Sequence, residues 1–146
     1  MNRTALAAAL AATTLLAPAA ATTAAHATTG TDTVVCGTPG APNYLTIRAC
    51  LAISGHQVRA YGYVSPTDPS WQDQQVTFLL TTAGVTSPPQ ATDNPTVLIT
   101  SAATGGTNAG SVTGAVPCNT PVRASFSINQ PGWAPSTATV TATVTC

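Results

Sequence analysis

The sequence predicts an all-β fold, an antiparallel β-sandwich of seven or eight strands. Three observations carry that prediction. Beyond residue 32 the chain runs in short apolar–polar alternations broken by Pro, Gly and Asn, and no 3.6-residue apolar period persists. Thr, a β-branched residue suited to a pleated surface, occurs 23 times in residues 28–146, as often as Val, Ile, Leu and Phe together. All four cysteines lie downstream of an export-like start, where disulfides form.

That start has three parts. Arg3 supplies a positive end, residues 5–16 form an apolar run too short to span a bilayer, and Ala25-His26-Ala27 matches the small-x-small pattern of signal-peptidase cleavage. Residues 1–27 are therefore expected to be a signal peptide. Residues 28–146 are expected to form a single secreted domain with a few flexible N-terminal residues. With so few large apolar side chains, such composition suits a disordered chain only if net charge is high. Three arginines (48, 59, 123) face four aspartates (32, 68, 73, 93), and Lys and Glu are absent. The domain is thus nearly neutral.

The strands follow in order: 34–36, 44–53, 56–64, 75–82, 96–101, 110–116, 122–128 and 137–145. A two-residue turn at Ser54-Gly55 pairs Ile53 with His56, Leu51 with Val58, Ala49 with Ala60, Ile47 with Gly62 and Leu45 with Val64. Those residues, His56 excepted, are apolar or small and make one core face. The opposite face pairs Cys50 with Arg59, Arg48 with Tyr61 and Thr46 with Tyr63. In the last hairpin, Val122, Ala124, Phe126 and Ile128 share a face, as do Ala138, Val140, Ala142, Val144 and Cys146. Pairing Ala124 with Val140 brings Cys118 opposite Cys146. The expected disulfides are therefore Cys36–Cys50 and Cys118–Cys146, closing loops worth about 3 and 3.5 kcal/mol in the chain-entropy model.

Little catalytic chemistry is legible. After cleavage one histidine, His56, remains, at a hairpin turn, and no G-x-S-x-G elbow accompanies it. Asp68 and Asp73 share a Pro-rich loop that reads as solvated rather than as a glycosidase pair. There is no C-x-x-C, calcium loop or zinc spacing, so neither cofactor nor metal is expected. Three scattered arginines cannot neutralise a run of phosphates, which excludes a nucleic-acid partner. No later apolar run approaches membrane-spanning length, so the mature form is expected to have no membrane association.

The best candidate site is the outer face of the first hairpin, where Tyr44, Arg48, Arg59, Tyr61 and Tyr63 share one parity and Trp71 follows in the next loop. Tyr, Trp and Arg concentrate binding energy at interfaces, and aromatic rings stack on sugars. An ordinary cross-strand ladder, with Arg lying across Tyr, explains the same residues without a ligand. Trp133, in the loop 129–135, is expected to fold back and plug the sandwich end. Loop 83–95 would serve as a recognition loop or simply be mobile.

Over residues 33–146 the strand spacing resembles immunoglobulin-like and fibronectin-type-III-like modules. The Ala/Thr-rich signal and short-range disulfides are similar to those of small secreted actinobacterial proteins. The chain departs from antibody domains because Cys50 lies on the outer face and no tyrosine corner is present. Motifs of protease inhibitors, amylase inhibitors and enediyne carriers are missing. The expected function is a secreted, non-catalytic binding or structural module for an extracellular protein or polysaccharide. The alternatives are an inhibitor of a secreted hydrolase, acting through loop 83–95 or 129–135, and a small-molecule carrier.

Overall fold

A computed structural model describes residues 32–85, 90–103 and 105–146. The expected signal peptide, the residues just after it and positions 86–89 of the expected recognition loop lie outside them. The described residues form nine strands: β1 (Thr33–Cys36), β2 (Leu45–Ser54), β3 (Gln57–Pro66), β4 (Gln74–Ala83), β5 (Gln90–Asp93), β6 (Thr96–Ile99), β7 (Thr107–Ala115), β8 (Pro121–Ile128) and β9 (Thr137–Thr143). One sheet has the order β1-β2-β3-β7. In the other, β4, β8 and β9 run side by side, with β5 and β6 both on the free edge of β4. All pairings are antiparallel. The chain crosses between the sheets after β3, β6 and β7, and the two antiparallel sheets form a β-sandwich. Among the described residues no helix is long and apolar enough to cross a membrane.

The eight expected strands are present, and β5 is the addition. Its sequence, Gln-Ala-Thr-Asp, has no apolar alternation to announce it. It continues the register of β6 along β4, interrupted only at Asn94-Pro95. A proline cannot donate to the ladder and belongs on such an edge. The Pro95 carbonyl still accepts a bond from the Phe78 N–H at 2.9 Å.

The first hairpin corrects the expected pairing by two residues. Ile53 faces Val58, Leu51 faces Ala60, Ala49 faces Gly62 and Ile47 faces Val64. The cause is the turn. Gly55 adopts φ +54° and His56 does not share the positive sign, so the loop is Gly55-His56 with glycine at its first central position, as in a type II′ turn. A Ser54-Gly55 loop of type I′ would force Ser54 into positive φ. A slip of two leaves every strand side chain on its expected face and moves His56 out into the turn, so the apolar set remains the core.

Buried residues of β2 and β3 meet Val76, Phe78 and Leu80 of β4, Val122, Ala124 and Phe126 of β8, and Ala138 and Val140 of β9. Phe78 and Phe126 stack with centroids 5.0 Å apart. Gly62 makes room for the second ring: a Cβ there would collide with Phe126. After β1 the chain bridges both sheets, since Thr38 pairs with Thr139 and Gly40 with Ile47.

Both expected disulfides are present. Cys36–Cys50 joins directly paired residues of β1 and β2 within one sheet. Cys118–Cys146 ties the chain after β7 to the chain after β9. Two such bonds mark an oxidising environment. Ala124 pairs with Val140 as expected.

Candidate ligand-binding cleft

Three β-turns meet at the end of the sandwich where β2 begins and β3 ends. In the first, Asp68-Pro69-Ser70-Trp71, Pro occupies the second position that its fixed φ favours, and Asp the first. The Trp71 N–H donates to the Asp68 carbonyl (3.1 Å), while Asp68 Oδ1 accepts from the Ser70 N–H (2.7 Å) and the Ser70 hydroxyl. These two bonds hold the Asp68 carboxyl below its ordinary carboxylate range. The turn sends Trp71 inward. Its ring is 8% exposed and its indole N–H donates to the Ile99 carbonyl at 3.0 Å.

The second turn, Gln130-Pro131-Gly132-Trp133, has Pro at the second position and Gly at the third with φ +80°, the pattern of a type II turn. The Trp133 N–H donates to the Gln130 carbonyl at 3.2 Å. Gln130 Oε1 accepts from the Thr77 N–H at 3.1 Å, which pins the turn to β4. Trp133 is half-buried and meets Trp71 edge-on, with centroids 6.1 Å apart. It folds back over the sandwich end, as expected.

The third turn, Pro42-Asn43-Tyr44-Leu45, is closed by the Leu45 N–H on the Pro42 carbonyl at 2.8 Å. Asn43 (φ +42°) and Tyr44 (φ +65°) both adopt left-handed backbone. Two positive φ values are the demand of a type I′ turn, which Asn-Gly satisfies cheaply. Here a tyrosine holds the glycine position, and its side chain is 68% exposed.

Between these turns lies an open cleft of about 480 Å³. Tyr44, Trp71 and Trp133 supply its rings. Asn43, Asp68, Ser70, Gln72 and Gln74 supply its polar groups. The arrangement offers hydrogen-bond donors and acceptors around aromatic surface.

The five residues expected on one face, and Trp71 expected beside them, divide between two places. Arg48, Arg59, Tyr61 and Tyr63 lie on the outer face of the first sheet. Arg48 is opposite Tyr63, and Arg59 lies over the Tyr61 ring with its guanidinium carbon 5.3 Å from the centroid. Tyr63 is half-buried against Gly106. That is the geometry of a cross-strand ladder. Tyr44 and Trp71 line the cleft instead, because the left-handed turn breaks the alternation at Tyr44 and the Asp68 turn drives Trp71 into the core. The polar cleft residues Asn43, Ser70, Gln72 and Gln74 had no sequence signal of their own. The recurrent Pro-x-Trp of the two turns was the available clue.

His56 lies at the opposite end, with Nδ1 3.2 Å from the Val116 carbonyl oxygen and 3.6 Å from Cys146 Sγ. Its ring nitrogens and the sulfurs of Cys118 and Cys146 fall within 4.8 Å of one another. The two sulfurs are bonded to each other and so do not offer thiolates to a metal. Asp73 Oδ1 accepts from the Ser101 N–H at 2.7 Å. No family model, curated protein or solved structure matches this chain.

Proposed function

We propose that this protein is a secreted, non-catalytic binding module whose ligand seats in the cleft between the three turns. The observation that carries the reading is Tyr44. A large aromatic side chain stands in solvent on a left-handed backbone that glycine would adopt without steric penalty. Backbone strain of this kind, beside a cleft, is a reason to look for function. The export signal and both disulfides support an extracellular setting. A cleft of about 480 Å³ is in the size range of small-ligand sites, which favours a small-molecule carrier as the second reading.

The test uses immobilised mature protein exposed to insoluble polysaccharides, cell-wall material and culture supernatant. A specific component should be retained, and Tyr44→Ala should lose it while the double variant Arg48→Ala/Tyr61→Ala keeps it. The reverse pattern would move the site to the ladder face. Retention of nothing by the unaltered protein would remove the binding-module reading.

A further inference from the structure

Given the cleft as the binding site, we infer that its ligand is a neutral carbohydrate, held with a sugar face on Tyr44 and its hydroxyls on the amides beside it. This inference rests on the binding-module reading and adds the chemistry of the ligand.

Charge excludes the first competitor. Among the described residues no cation lines the cleft. Arg48 and Arg59 are on the outer face of the first sheet, and Arg123 stands beside Thr81 and Ser125 on the second. An anionic ligand would find no cationic partner there.

Ring geometry disfavours the second, an organic cation. A cage for a quaternary ammonium needs several ring faces open to one point. Trp71 is buried, its N–H is committed to Ile99, and Trp133 meets it edge-on. Only Tyr44 is largely exposed, which makes a platform rather than a cage. Asp68 is half-buried, and its Oδ1 already accepts two bonds from Ser70.

The polar groups fit a polyol. A sugar hydroxyl both donates and accepts, and each amide of Asn43, Gln72 and Gln74 presents a carbonyl oxygen and an NH₂ group. The Asp68 carboxylate adds an acceptor. The backbone of Tyr44 is held by the Leu45–Pro42 bond and by the Thr67 N–H donating to the Tyr44 carbonyl at 2.8 Å, which sets the direction in which the side chain leaves the turn. A preset platform lowers the ordering cost of binding.

The chain supplies its own probe. It contains two tryptophans, and both line the cleft. Titration of the mature protein with cellohexaose, chitohexaose, xylohexaose and mannohexaose should give a saturable change in tryptophan emission with at least one of them. Tyr44→Ala should weaken that affinity about tenfold, or about 1.4 kcal/mol, while its melting curve remains cooperative. The affinity should also be unchanged between about 0.05 and about 1 M salt, because no ion pair forms. Polygalacturonate and tetramethylammonium are the charged comparators. A response to either of them and to no neutral oligosaccharide would overturn the carbohydrate inference and leave the cleft a binding site. So would silence across the panel together with Tyr44-dependent retention of a non-carbohydrate component. Silence together with no Tyr44-dependent retention would overturn both the ligand class and the binding module.

Discussion

Replacing Tyr44 with glycine should make this protein more stable while removing its proposed activity. At φ +65° the Tyr44 Cβ is crowded by its own backbone, a cost of about 1–2 kcal/mol for a residue other than glycine. Glycine relieves that cost but gains freedom in the unfolded chain, worth about 0.5–1 kcal/mol in the other direction. The side chain itself is mostly in solvent, so its loss sacrifices little buried area. Both backbone bonds of the turn survive, since they use the Tyr44 carbonyl and the groups of Leu45 and Pro42. The net expectation for Tyr44→Gly is a gain of about 0.5–1 kcal/mol, a rise of roughly 2–5 °C in midpoint for a domain of this size. Tyr44→Ala is the matched control. It removes the ring and keeps the crowded Cβ, so its midpoint should stay near that of the parent. Thermal melts followed by far-ultraviolet circular dichroism compare the three chains directly. A glycine variant no more stable than the alanine variant would refute the claim that the turn stores strain, and with it the main reason for reading Tyr44 as functional.

Gly62→Ala should destabilise by about 1–2 kcal/mol, because overpacking against Phe126 (about 1–3 kcal/mol) exceeds the backbone gain from removing a strand glycine; urea melts would show it, and the added substitution Phe126→Leu should recover part of the loss. Paired Cys→Ser replacement should cost about 3.5 kcal/mol at Cys118–Cys146 and about 3 kcal/mol at Cys36–Cys50, in the order of their sequence separations of 28 and 14; a reversed order in denaturant midpoints would contradict the chain-entropy account. Asp68 has a folded pKa lowered from 3.8 by its bonds to Ser70. Its contribution is therefore complete above that value and is lost as pH falls through the lower folded one. Melting temperature should show no effect of Asp68→Asn on the shape of the curve between about pH 5 and 8 and a shallower acid limb below about pH 4.

The parts of the fold governed by local alternation were legible. Leu45, Ile47, Ala49 and Leu51 repeat with period two, as do Val122, Ala124, Phe126 and Ile128, and each set is buried. The same alternation brought Cys118 opposite Cys146. The hairpin register was not legible, since pairing Ile53 with His56 or with Val58 puts the same residues inward, and only the conformation of Gly55 separates the two. The short β5 escaped because its pairing is paid for by the neighbouring β4 rather than by any pattern in Gln90–Asp93.

By itself, then, the sequence determined an all-β, disulfide-stapled, nearly neutral domain with identified core faces, and it marked six candidate residues centred on Arg48 and Tyr61, Tyr44 and Trp71 among them. These properties depend on composition and on neighbours two residues apart. Only the tertiary structure decided where those residues act. The turns at 42–45, 68–71 and 130–133 are far apart along the chain and share no pattern that reports their distance. They meet because the first turn leads into β2, the second links β3 to β4 across the sheets, and the third joins β8 to β9, so stacking the two sheets delivers all three to one end.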